Sequence, residues 1–135
     1  MRSLRQRKDA MDQLFLLLSD IHNYVDVVIV EGLRDFSSLK EIGCQALIEV
    51  LGHNGIGDYD LVERISSKYN NVLILTDFDE EGLSLNLRLQ SLFERKIAKV
   101  ETGLRKRIGR LMARIGVYTI ESLDNIMNDL GQLTF

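Results

Sequence analysis

Two short runs of branched aliphatic residues set the frame of this chain: Val27-Val28-Ile29-Val30 and, later, Val72-Leu73-Ile74-Leu75. Unbroken apolar runs of this length, rich in β-branched residues, read as strands buried on both faces of a sheet. Each stops abruptly at acids and glycine. The first runs into Glu31-Gly32-Leu33-Arg34-Asp35 and the second into Thr76-Asp77-Phe78-Asp79-Glu80-Glu81-Gly82. Open α/β sheets carry their sites at such strand tips. Carboxylates that converge at one sheet edge repel one another unless positive charge lies between them. A hard cation with oxygen ligands, Mg²⁺ or in its place Mn²⁺, is the usual answer.

The segments between these runs alternate. An amphipathic helix over 4–22 turns Met11, Leu14, Phe15, Leu18 and Ile21 inward, with Ser3 and Gln6 as its capping box. Strand 25–30, a helix at 36–42 ended by Gly43, and strand 45–50 make a βαβ unit. After a glycine-rich loop at 52–57, Asp60 and Glu63 cap a helix reaching Tyr69, which delivers the chain to strand 72–76. Leu83, Leu85, Leu87 and Leu89 alternate as in a strand. The surrounding Gln, Arg and Glu, and the spacing of Leu85, Leu89, Leu92, Phe93 and Ile97, favour a helix over 83–97. A short strand at 98–101 closes the sheet. Two helices follow: one turns Leu104, Ile108, Leu111 and Ile115 inward and its arginines outward, and one is capped near Thr119. The pattern predicts an α/β fold with a mainly parallel four-stranded sheet. The order 2-1-3-4 makes the two acidic tips neighbours at the point where strand order reverses.

At 135 residues and 45% hydrophobic content the chain is expected to form a single domain over 1–135. Its α/β core would span about 25–101, with a C-terminal helical extension over 102–131. The lone Cys44 excludes a disulfide framework and a cysteine-ligated zinc site and fits the reducing cytoplasm. No apolar run is long enough to span or anchor to a membrane. The net charge of −3 is unevenly spread, with 13 acids against 4 bases over residues 20–82. Over 95–114 only Glu101 opposes Arg95, Lys96, Lys99, Arg105, Lys106, Arg107, Arg110 and Arg114. A basic stripe beside an acidic site suits a polyanion, held by its backbone on the first and met by metal in the second. A solvated helix face is the plainer reading of the same stripe.

The motif Glu31-Gly32-x-x-Asp35 after one strand and hydrophobic-Asp77-x-Asp79-x-x-Gly82 after another resembles the Toprim domain. That domain is shared by type IA and type II topoisomerases, bacterial-type primases, recombination mediators and 5S ribosomal RNA maturation ribonucleases. The resemblance covers about residues 25–101 and implies a Rossmann-like Toprim fold. It implies Glu31 as general acid or base and Asp77 and Asp79 as holders of Mg²⁺, with Glu31 and Glu81 as further ligands. Phe78 stands where the family often has proline, and Glu80 where it often has a base. Leu83 replaces the further glutamate of topoisomerases, and the chain has no room for a tyrosine-bearing strand-passage domain.

The chemistry also stands on the residues alone. Phosphoryl transfer needs a cation for the developing charge and a proton acceptor near the nucleophile. Gly32 and Gly82 allow close approach of phosphate at helix starts rich in free N–H groups. Lys99, Arg105, Arg107 and Arg110 are candidate contacts to substrate, joined by Arg34, which either binds phosphate or neutralises the acids. Asp35 either caps its helix or serves the site, and His53 is a candidate substrate contact. An EF-hand is excluded by Arg88 at the twelfth position of Asp77-x-Asp79-x-Glu81-Gly82, and no Gly-Lys-Ser/Thr phosphate loop occurs. The expectation is a small Mg²⁺-dependent nuclease acting on RNA or DNA. A non-catalytic nucleic-acid-binding or assembly module is the alternative, and either one could require a protein partner or a homodimer.

Overall fold

The structure, a computed structural model, describes residues 2–52 and 55–133. His53 lies outside the described residues. Four parallel strands, β1 (Val27–Val30), β2 (Leu47–Val50), β3 (Asn71–Ile74) and β4 (Lys99–Val100), form one sheet in the order β2-β1-β3-β4. This is the order expected from the sequence, and it sets β1 directly beside β3, pairing Val27 with Val72 and Ile29 with Ile74.

The alternation of each central strand builds two cores. Val28, Val30, Leu73 and Leu75 face helices α1 (Leu4–Asp20), α2 (Leu33–Glu41), α5 (Thr102–Ile115) and α6 (Leu123–Leu130). Val27, Ile29, Val72 and Ile74 face helices α3 (Asp58–Lys68) and α4 (Glu80–Phe93). Coverage on both faces is what lets these strands be apolar at every position. The Ser3–Gln6 capping box forms as expected, and Gly43 ends α2 with a φ of 97°.

Several boundaries differ from expectation for local reasons. Helix α2 begins at Leu33 instead of 36 because the Asp35 carboxylate accepts the Gly32 N–H at 3.0 Å, which pulls the first turn up to the strand tip. Helix α3 begins at Asp58 behind Gly57, with no side-chain cap. Asp58 instead pairs with Arg88 and Glu63 with Lys96, tying α3 to α4 and to the turn that follows it. Helix α4 starts earlier than 83, because Asp79 caps it, and ends at Phe93. Ile97, expected on its inner face, is therefore 99% exposed. Past α5 the chain makes a 3₁₀ turn over Ile120–Ser122 before α6, and Thr119 supplies no side-chain cap.

Candidate metal and phosphate site

The tips of β1 and β3 meet through one side chain. Leu75 donates its N–H to the Ile29 carbonyl at 2.7 Å, a regular rung of the parallel ladder. Two residues on, the Asp77 N–H goes to Glu31 Oε2, also at 2.7 Å, so a carboxylate oxygen takes the next rung. Asp77 turns its own Oδ1 toward the Ile120 N–H, at 2.9 Å. Asp79 uses Oδ1 to accept the Gly82 N–H at 2.8 Å, capping α4. Each of these acids thus spends one oxygen on a backbone donor, leaving its second oxygen outside those contacts.

The fit of α4 against the tip depends on Gly82. A Cβ there would stand 2.0 Å from the Asp77 carbonyl oxygen, so no larger residue lets the first turn lie on the β3 backbone. Buried Thr76 fastens the same contact, donating its hydroxyl to the Gly82 carbonyl at 2.7 Å.

Arg105 corrects the expectation of an outward basic side chain. It is only 5% exposed and reaches under the tip of β3, donating to the carbonyls of Ile74 (3.0 Å), Thr76 (2.9 Å) and Asp77 (3.2 Å). Its guanidinium also lies 4.2 Å from the Phe78 ring centroid, a cation–π contact. Phe78 in turn fills the space over Gly109, where a Cβ would strike the ring at 2.6 Å. Burial lowers the Arg105 pKa to about 10, against the pull of Glu31 and Asp77, so it stays charged at neutral pH. A helix pattern alone cannot tell this arginine from its solvated neighbours, because the acceptors it meets are backbone carbonyls.

The other expected basic contacts are dispersed. Lys99 opposes Asn71 at the start of β3, six residues from Asp77, and pairs with Glu101 at 3.7 Å. At about 3.3 Å per strand residue, that is the wrong end of the sheet for the same phosphate. Arg107 faces α1, in a groove with Gln13, Leu16 and Asp20, whereas exposed Lys106 and Arg110 lie across α5 toward α4. Arg34 lines a groove against Glu121 and Asp124. The stripe read along the sequence is therefore split around the helix.

Asp35 is buried, and burial raises its pKa, against the Gly32 N–H, with Glu31 adding to the rise. Burial also pushes Asp77 up to about 6, opposed by the Ile120 N–H and reinforced by Asp35, Glu31 and Asp79. Glu31 and Glu81 share a cleft of about 410 Å³ with Glu80, Ser84 and Arg88. Among the described residues no three His, Cys, Asp or Glu side chains are grouped to hold one ion. The reason is local, since Asp79 turns to cap α4 while Glu81 projects from its first turn. The all-oxygen donor set still suits Mg²⁺, which keeps several waters and takes only one or two carboxylates plus substrate oxygens.

The sequence reading missed Ser38, buried one turn after Asp35, and the segment 118–120. Ser38 donates to the Ile120 carbonyl at 3.0 Å, and Phe78 donates its N–H to the Tyr118 carbonyl at 2.7 Å. A polar residue three positions after Asp35 on one helix face was the available signal.

The Toprim domain family matches residues 26–111, which include both acidic tips. The chain belongs to the Toprim family. Its relatives include a UPF0292 protein of Methanosarcina barkeri, 31% identical over 93% of this chain and 86% of its own length. A UPF0292 protein of Pyrococcus furiosus is 32% identical over 84% of this chain and 83% of its own. A solved protein from Aquifex aeolicus shares the fold, with a TM-score of 0.66 at 19% identity, covering 82% of this chain and 95% of that one. Toprim domains are associated with metal binding and nucleic acid in general. Among the described residues of this Toprim protein, no helix is long and apolar enough to cross a membrane.

Proposed function

We propose that this Toprim protein is a Mg²⁺-dependent nuclease that cleaves phosphodiester bonds of RNA or DNA. The observation that carries the reading is geometric: the Glu31 carboxylate meets the Asp77 N–H at 2.7 Å, two residues before the Asp79 cap of α4, while Arg105 is turned to backbone carbonyls. Burial first, and then Asp35, Glu31 and Asp79, raises the Asp77 pKa to about 6. A crowd of acids in that state favours a cation. Asp77 and Asp79 would hold Mg²⁺, with Glu31 or Glu81 as a further ligand. When bound, the ion would neutralise charge developing on the phosphoryl oxygens. Glu31 accepts the Asp77 N–H through one oxygen, which orients the carboxylate; its other oxygen would take or return the proton of the nucleophile. The free N–H groups of the first turn of α4 would meet the phosphate.

A second reading, a binding or assembly module without turnover, is favoured by one observation: Glu31, Asp77 and Asp79 each commit an oxygen to a backbone N–H, a structural use of all three carboxylates. Labelled structured RNA, single-stranded DNA and duplex DNA, incubated with Mg²⁺ or Mn²⁺ and the native chain, Glu31→Gln or Asp79→Asn, separate the two. Metal-dependent cutting lost in both variants supports the nuclease. Binding without cutting in every preparation supports the module.

A further inference from the structure

Helix α4 carries two leucines that neither core uses: Leu83 is 47% and Leu87 63% exposed. Four residues apart, they form one stripe on the side of α4 that faces α5. Between the helices lies a groove of about 750 Å³, walled by these leucines and Ala113, with Phe78 and Gly109 among its lining. Phe78 joins the groove to the site, because it stands between Asp77 and Asp79 in the chain and rests on Arg105.

Two further observations say what the groove takes. Asn86 lines it, 7% exposed, with an amide oxygen that has no hydrogen-bond partner. Lys106 and Arg110 stand on its rim, and among the described residues no carboxylate lines it, whereas the cleft on the other side of α4 holds Glu31, Glu80 and Glu81. The occupant therefore combines a flat apolar body, a polar edge for an amide, and negative charge. An acidic amphipathic peptide would supply the charge, but it needs anchors along two or more helical turns. The exposed stripe here spans one turn, and hydrocarbon would leave the amide unsatisfied.

We propose that the α4–α5 groove is a subsite for unpaired bases of a single-stranded nucleic acid. One or two bases would lie against Leu83, Leu87 and Phe78, with their phosphates at Lys106 and Arg110. This rests on the nucleic-acid reading of the site and narrows its substrate to chains with unstacked bases, the form in which base faces are available to protein.

The test is equilibrium binding of a labelled ten-nucleotide single strand to the full chain in EDTA. It is compared with a duplex of equal length and with an abasic chain of the same phosphate count. The double variant Leu83→Gln, Leu87→Gln adds no charge and alters only exposed positions. The expected result is binding of the intact single strand about tenfold weaker in the variant, with binding of the abasic chain unchanged. Equal loss or no loss for intact and abasic chains would overturn the base subsite while leaving the site reading standing. Failure of every nucleic acid to bind would remove both. A native dimer that the variant converts to monomer would assign the groove to a second copy and overturn the proposal.

Discussion

Glu31 Oε2 occupies the place in the β1–β3 ladder where a backbone carbonyl would otherwise accept the Asp77 N–H, at 2.7 Å. The charge of Glu31 and its role as an acceptor are therefore separable. Glu31→Gln keeps an amide oxygen for the N–H and is expected to unfold in urea near the native midpoint while losing metal-dependent cleavage. Glu31→Ala leaves the donor unmet and should cost about 1–3 kcal/mol. Comparable urea midpoints for Ala and Gln would show that the contact adds nothing to stability.

Asp77 gives a pH dependence with a definite sign. Its folded pKa, about 6, lies above the ordinary value of 3.8. The metal-free fold thus keeps the full benefit of a neutral Asp77 below about pH 4 and loses it as pH rises through 6. Asp77→Asn should stabilise the metal-free protein at pH 7.5 by about 1 kcal/mol, after allowance for solvent screening, and leave it unchanged at pH 4. Denaturant titrations at both pH values check this.

Metal affinity should follow the same group. Proton and cation compete for Asp77, so Mg²⁺ binding measured by calorimetry is expected to weaken about tenfold per unit below pH 6 and to flatten above it. Affinity independent of pH between 5 and 7.5 would exclude Asp77 as a ligand.

Gly82→Ala drives a methyl group into the Asp77 carbonyl. The first turn of α4 must lift, and a loss of about 2–4 kcal/mol is expected, seen as a lowered melting temperature. Glycine at this position is read from motif alone as room for phosphate, but here it is also room for the protein's own backbone.

Arg105→Met and Arg110→Met should behave oppositely. The first removes three donors from the carbonyls of Ile74, Thr76 and Asp77 and is expected to cost about 3 kcal/mol or more. The second should leave stability within about 0.5 kcal/mol and reduce the salt slope of nucleic-acid binding by about 1.

These contrasts mark where the sequence was legible. The apolar runs at 27–30 and 72–75 announced doubly covered strands, and the position of the acids after them announced neighbouring tips, because burial and alternation leave a signature every two residues. Ser38, Ile120 and Arg105 left no such trace. In each of their contacts one side is a backbone N–H or carbonyl, 28 to 82 residues from the side chain it meets, and a backbone donor or carbonyl is the same at every position. The leucines of α4 were legible in part: helical spacing put Leu85 and Leu89 toward the core, where they lie, while nothing in the pattern said that Leu83 and Leu87 line a groove.

The family match ends at residue 111, but the anchors of the site do not. Asp77 leans on Ile120 and Phe78 on Tyr118, while Ser38 pins that strap from the opposite side. A fragment trimmed to the matched boundary would carry every motif residue and still lose the donor that fixes its central aspartate. In grafting or swapping experiments, the transferable unit is thus larger than the motif-defined domain, and chimaeras should be joined beyond Asp124, whose N–H also meets Ser38.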